Sequence, residues 1–220
     1  MKKAYFFLII CLLFGANSFA QQGKYGTYYD QRATLFEKLP ITSTDIVFLG
    51  NSLTDGCEWA ELFNNPHIKN RGISGDVIMG IYDRIDPVLK GKPAKIFLLT
   101  GINDVSHDLT ADSVLVMYKQ LVSKIKAGSP KTKLYIQSLL PVNDEFTRFP
   151  KVHNKTQVIL DINKGLKQLA KEYGCVYIDI YSHLLAQGTQ SLDKKYTNDG
   201  LHLLAPGYLV WKELLKPYIK

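Results

Sequence analysis

Four short segments of this chain hold the residues that could do chemistry together. Gly50-Asn51-Ser52-Leu53-Thr54-Asp55-Gly56 offers a hydroxyl, and Asn70-Arg71-Gly72-Ile73-Ser74-Gly75-Asp76 offers a glycine-bearing turn. Gly101-Ile102-Asn103-Asp104 sets a neutral amide beside a carboxylate, and Asp199-Gly200-Leu201-His202 places a carboxylate three residues before an imidazole. Taken singly, each has an ordinary explanation. A serine behind a strand commonly caps the next helix, Asn-Arg-Gly and Gly-Ile-Asn-Asp make turns, and Asp199 and His202 could simply bond to each other. Taken jointly, they supply what hydrolysis of an ester requires: a nucleophile, a base, a group that orients the base, and donors for the oxyanion. Ser52 supplies the hydroxyl, and the amides of the helix that follows it point at incoming negative charge. His202 is the natural base, since histidine changes its protonation near neutral pH. Asp199 is close enough to accept from Nδ1 and hold the tautomer. Gly72 lets a backbone N–H approach a substrate with no Cβ in the way, and Asn103 offers a donor that does not titrate.

These segments need elements that bring them together. Ile46-Val47-Phe48-Leu49, Ile96-Phe97-Leu98-Leu99, Leu134-Tyr135-Ile136 and Val176-Tyr177-Ile178-Asp179-Ile180 read as buried strands, rich in β-branched and aromatic residues. His67-Ile68-Lys69-Asn70 reads as a weaker one. Between them, Val114, Tyr118, Leu121, Val122 and Ile125 recur at helical spacing, stopped by Gly128 and Pro130, and Ile159, Ile162, Leu166, Leu169 and Tyr173 do the same up to Gly174. Gly165 is a flaw in that helix worth about 1 kcal/mol relative to Ala. A last helix starts near Pro206 and runs through Trp211, Leu214 and Leu215 to Pro217. Alternating strands and helices predict an α/β fold whose parallel sheet is covered on both faces. Loops at the carboxyl ends of such strands carry the ligand site. Three of the four segments follow a strand, and the fourth precedes the final helix. Residues 141–155, with Phe146, Arg148, Phe149 and His153, form the longest irregular stretch and read as a loop or a flap facing substrate.

Ser52, Gly72, Asn103 and His202, with Asp199 three before the histidine, resemble in order and strand context the blocks that define the SGNH (GDSL-type) hydrolase superfamily. The resemblance spans nearly all of the chain after its first twenty residues. It departs at Asn51, where the GDSL block has Asp, and Thr54 takes the second Gly position of the Gly-x-Ser-x-Gly elbow of ordinary α/β-hydrolases. The stretch from Trp59-Ala60-Glu61-Leu62-Phe63 to Asn70-Arg71-Gly72 is similar to the platelet-activating-factor acetylhydrolase-like branch. Residues 28–40, with Gly50-Asn51-Ser52 and Trp59, resemble secreted bacterial sialate O-acetylesterases. These resemblances imply a three-layer α/β/α sandwich with a five-stranded parallel sheet, flavodoxin-like in outline. They also imply a serine esterase that removes small acyl groups, acetyl first, from a carbohydrate such as O-acetylated sialic acid. Two other readings stand beside it: an acylhydrolase acting on lysophospholipids or thioesters, and a glycan-binding module without activity. Asn51, Trp59, Arg71 and Asp104 are candidate pocket residues. No cofactor is implied.

The ends and the composition bound the setting. Lys2 and Lys3, an apolar run over residues 4–14, and small residues at Ser18 and Ala20 form a secretory leader over residues 1–20, which predicts export to the periplasm or beyond. The apolar run is shorter than the ~20 residues that span a bilayer, so no stable membrane insertion is expected. Residues 21–220 are one domain's worth of chain. Losing Lys2 and Lys3 with the leader lowers the formal net charge from +7 to +5. The basic residues are scattered rather than clustered, which argues against nucleic acid as a partner and leaves a small-molecule or glycan ester. Cys57 and Cys175 fall at opposite ends of the expected strands and are read as free thiols. The five histidines have no ligand-like spacing with cysteines or carboxylates, so no metal is expected.

Overall fold

The computed structural model describes residues 23–219; the leader read in residues 1–20 lies outside the described residues. The chain runs α1 (Thr27–Lys38), β1 (Ile46–Gly50), α2 (Ser52–Asp55), α3 (Trp59–Leu62), β2 (Ile68–Gly72), α4 (Ile78–Arg84) and α5 (Asp86–Gly91). It continues through β3 (Lys95–Leu99), α6 (Ile102–Ser106), α7 (Ala111–Gly128), β4 (Lys133–Gln137), α8 (Thr156–Glu172), β5 (Val176–Ile178) and α9 (Ala205–Ile219). The strands form one sheet in the order β2-β1-β3-β4-β5, and every neighbouring pair is parallel.

The strand sequences dictate a sheet buried on both faces. Successive side chains of a strand point to opposite faces, and β1 is apolar on both. Val47 and Leu49 join Ile96, Leu98 and Ile136 against α4, α5, α7 and α8, where Ile81, Val122 and Ile162 are fully buried. Ile46 and Phe48 join Phe97, Leu99 and Tyr135 on the other face, under Trp59 of α3 and Trp211 and Leu215 of α9. The result is three layers, as expected for this strand–helix alternation. Each such Leu, Ile or Val contributes about 1.5–3 kcal/mol on burial, so the sheet is held rigidly behind the loops that carry the site.

Details depart from the sequence reading for local reasons. β2 begins at Ile68 and runs on through Arg71 and Gly72, which pair in register with Leu49 and Gly50. β5 stops at Ile178 because the amides of Ile180 and Tyr181 turn onto Ser138 Oγ, each at 2.9 Å. α9 passes through Pro217 to Ile219, and Lys95 Nζ donates to the Tyr218 carbonyl at 2.7 Å. Gly165 is a contact rather than a flaw, because a Cβ there would run into the Leu115 side chain where α8 crosses α7. Cys57 is a buried free thiol and Cys175 a half-buried one. Among the described residues, no helix is long and apolar enough to cross a membrane.

Candidate active site

The chain passes from β1 to β2 on one side and then crosses to β3 on the other. The carboxyl ends of β1 and β3 therefore flank a topological switch point, where parallel sheets leave a crevice. Ser52 stands at the first position of α2, directly behind β1. Asn51 caps that short helix: its Oδ1 accepts from the Leu53 N–H at 3.1 Å, and its carbonyl accepts from Thr54 and Asp55. Asn51 is fully buried, so it positions the serine from below.

His202 reaches Ser52 from across the crevice, with Nε2 2.9 Å from Ser52 Oγ and Nδ1 2.8 Å from Asp199 Oδ2. Asp199 is itself fixed by the N–H groups of Leu201 at 3.0 Å and His202 at 2.8 Å, both donating to Oδ1. Burial alone would raise the Asp199 carboxyl, but those two amides and the imidazole outweigh it and hold it below its ordinary value. A carboxylate at Asp199 requires the proton on Nδ1, which leaves Nε2 free to accept from the serine hydroxyl. Such a chain can take the hydroxyl proton as the oxygen attacks a carbonyl.

The donors on the other side of Ser52 differ from the sequence reading at one position. Asn103, in the first turn of α6, lines the crevice with Ser52. Its Nδ2 donates to the Asp76 carbonyl at 2.8 Å, which fixes the amide and uses one of its two hydrogens. Gly72 does not present its N–H there. That amide donates to Asn70 Oδ1 at 2.8 Å, and a Cβ at Gly72 would strike the backbone of Thr54 and Asp55. Gly72 is glycine so that β2 can pass beneath the serine's helix. The glycine on the crevice is Gly75, three residues on. Its φ of 82° is a conformation that L side chains rarely adopt, and a Cβ there would meet nothing within 4 Å. No acceptor takes the N–H of Gly75 or of Ser52 among the described residues. Asp55 ties the Gly75 loop to α2, since its Oδ2 accepts from Ser74 N at 3.1 Å and Ser74 Oγ at 2.8 Å.

The four candidate pocket residues all lie behind the crevice. Asn51 is the cap just described. Trp59 is in the core, stacked on Phe48 at 4.4 Å and edge-on to Trp211, with Nε1 donating to the Thr54 carbonyl. Arg71 turns toward α1, where it covers the Phe36 ring and donates to the Leu39 carbonyl. Asp104 is buried under α4, accepts from the Ile78 N–H, and is pushed by burial up to about 7. A charged or aromatic residue next to a motif attracts a functional reading, yet here each one builds the floor.

The walls come from elsewhere. Residues 148–152 of the irregular stretch face Ser52 across a crevice of about 560 Å³. Phe149, Pro150, Val152 and Leu201 give it an apolar side, and the Phe149 ring meets His202 edge-on at 5.1 Å. The stretch is therefore a flap rather than a plain loop. It is pinned by the Asn143 N–H to the Gly200 carbonyl at 2.9 Å and by His153 Nε2 to the Phe146 carbonyl at 2.7 Å. Among the described residues, no group of three or more His, Cys, Asp or Glu side chains could hold a metal ion.

The fold is that of the SGNH hydrolases. The chain belongs to the GDSL-like lipase/acylhydrolase family, whose model matches residues 48–210. It is 26% identical over 174 residues to platelet-activating factor acetylhydrolase IB subunit alpha2 of Homo sapiens, covering 74% of this chain and 71% of that one. It is 27% identical over 180 residues to the N-acylneuraminate cytidylyltransferase of Escherichia coli O18:K1:H7 (strain RS218 / NMEC), covering 80% of this chain. The chain spans only 41% of that relative's length. The crystal structure of a GDSL-like lipase from Bacteroides thetaiotaomicron VPI-5482 superposes with a TM-score of 0.75 at 26% identity, covering 87% of this chain and 96% of that one.

Proposed function

We propose that the chain is an exported serine esterase that removes acetyl groups from O-acetylated carbohydrate, sialic acid first. The observation that carries this reading is the Ser52–His202–Asp199 chain of hydrogen bonds opening on a crevice lined by Asn103 and Gly75. Ser52 Oγ attacks the ester carbonyl as its proton passes to His202 Nε2, and Asp199 stabilises the imidazolium through Nδ1. The N–H groups of Ser52 and Gly75 and the Asn103 amide receive the oxyanion. As the ester C–O bond breaks, His202 gives that proton to the departing sugar oxygen, which leaves as a hydroxyl while the acetyl group stays on Ser52 Oγ. His202 then takes a proton from the attacking water and passes it to Ser52 Oγ as acetate departs.

The choice of alcohol draws on relatives. One is by name an acetylhydrolase, and another acts by name on an N-acylneuraminate while devoting about two fifths of its length to a segment like this chain. The apolar side of the crevice favours a second reading, an acylhydrolase for lipid esters, since Phe149, Pro150, Val152 and Leu201 could receive a longer acyl chain. Incubation with O-acetylated sialic acid, acetylated xylan and a lysophospholipid, with the released acid identified, separates the two. Acetate from the sialic acid supports the first reading, and fatty acid alone supports the second. No acid from any of them leaves a binding module. Export is tested by the amino terminus of the protein recovered from the producing cell, which should begin at Gln21.

A further inference from the structure

The crevice around Ser52 has a charge pattern that the reaction itself does not need. Arg148 and Lys151 line it, and no acidic residue does. Neither cation has a salt bridge or a hydrogen bond to an acid among the described residues; Arg148 only leans over the Phe149 ring, at 5.9 Å. The acids nearby have their direct partners elsewhere. Glu145 pairs with Lys194 at 2.6 Å, Asp108 pairs with Lys155 at 2.7 Å while feeling the charge of Lys151 without contact, and Asp144 accepts from the Asn154 N–H at 2.9 Å. Asp199 is behind His202, held by four donors. The two cations ride on a flap whose backbone is fixed to the His202 loop through Asn143 and Gly200. They are thus anchored at one side of the nucleophile rather than carried on a free tail.

We infer that Arg148 and Lys151 determine specificity by binding an anionic group on the alcohol portion of the ester. This rests on the esterase reading above and narrows it to a class of substrate: an acetylated sugar acid, whose carboxylate the pair recognises while the ester carbonyl faces Ser52. A guanidinium grips a carboxylate through two parallel hydrogen bonds, and a lysine adds a point charge. A crevice of about 560 Å³ is in the range of small-ligand sites and can hold one such sugar. A phosphate monoester would offer the same anionic chemistry from a lipid headgroup, so the test separates the two sources.

The measurement is kcat/KM for O-acetylated sialic acid divided by that for its carboxyl methyl ester, alongside a lysophosphatidate and the matching monoacylglycerol. The parent protein should favour the free carboxylate, and added salt should erode the preference by screening exposed charges. Arg148→Gln and Lys151→Gln should each lower the carboxylate-to-methyl-ester ratio by about 5-fold, and the double variant by about 20-fold. Lys167→Gln, which removes an exposed charge from α8, should leave the ratio unchanged and so excludes an effect of net charge alone. A ratio near one in the parent, or one that survives the double variant, overturns the inference. A phosphate preference without a carboxylate preference overturns the sugar-acid assignment. If no ester is turned over, the esterase reading fails by itself. Calorimetric binding of N-acetylneuraminate to the parent and the double variant then decides the cation pair: loss of affinity in the double variant upholds it, and equal affinity refutes it.

Discussion

Asp199→Asn isolates the orienting carboxylate from the loop it holds. Asp199 Oδ1 accepts from the amides of Leu201 and His202 at 3.0 and 2.8 Å, and an asparagine oxygen can keep both. Oδ2, 2.8 Å from His202 Nδ1, becomes an NH₂ that can only donate. The imidazole must then accept at Nδ1 and carry its proton on Nε2, where it faces Ser52 Oγ as a donor and cannot serve as its base. Loss of the correct tautomer costs up to about 10⁴ in kcat in serine proteases, and a fall of about 10³–10⁴ is expected here. The structural cost is smaller, because charge-assisted bonds become neutral ones without being lost, on the order of 1 kcal/mol. Steady-state hydrolysis of a chromogenic acetate ester gives kcat, and a thermal melt confirms folding. A folded Asp199→Asn protein with kcat within about tenfold of the parent would show that something else holds the imidazole.

Three further outcomes follow from the same geometry. Asn103→Asp sets a carboxylate against both the developing oxyanion and the Asp76 carbonyl that the amide now donates to. Its kcat should fall at least as far as that of Asn103→Ala, about 10²–10³, and an active Asn103→Asp protein would sink the donor role. Gly75→Ala strains a backbone at φ 82° without a clash, whereas Gly72→Ala drives a Cβ into the Asp55 backbone. The first should lose mainly kcat and the second mainly thermal stability, and the reverse order would return the oxyanion role to Gly72. Asp104 is pushed by burial up to about 7 from 3.8. The folded protein therefore holds a proton that the unfolded chain has released between those values, and stability from this group declines as pH rises through that window. Asp104→Asn keeps an oxygen for the Ile78 N–H, so its melting temperature should gain on the parent's from about pH 5 to about pH 8; a constant offset would contradict this.

The central strands were legible because β1, β3 and β4 are apolar on both faces, and a parallel sheet leaves no other pattern for them. Ser52, Asp199 and His202 were legible because each sits in a short local segment tied to a strand end or a helix start. Gly72 and Gly75 fall within the same seven residues. The Asn70 side chain, which takes the Gly72 amide, and the α2 backbone packed against Gly72 separate the structural glycine from the one on the crevice. α1 was not read because Phe36 is its one buried residue, so it carries no apolar period. Gly165 looked like a defect because a helix's own sequence does not show the Leu115 pressed against it. Trp59 and Arg71 were drawn into the pocket by their types, but burial against Phe48 and Phe36 is a property of the packed layers. Arg148 and Phe149 were visible as members of an irregular stretch, and the contact of Phe149 with His202 turns that stretch toward the crevice.

Every catalytic role described above depends on Ser52 being the nucleophile. Reaction with a fluorophosphonate that mimics an acyl donor, followed by intact mass and peptide mapping, reads it without assuming a natural substrate. One adduct is expected, carried on Ser52, with loss of acetate-ester hydrolysis in proportion to labelling. A folded Ser52→Ala protein should show neither label nor turnover. An adduct on another residue, or an unlabelled Ser52→Ala protein that keeps more than about a tenth of the parent's turnover, would contradict covalent catalysis at this site.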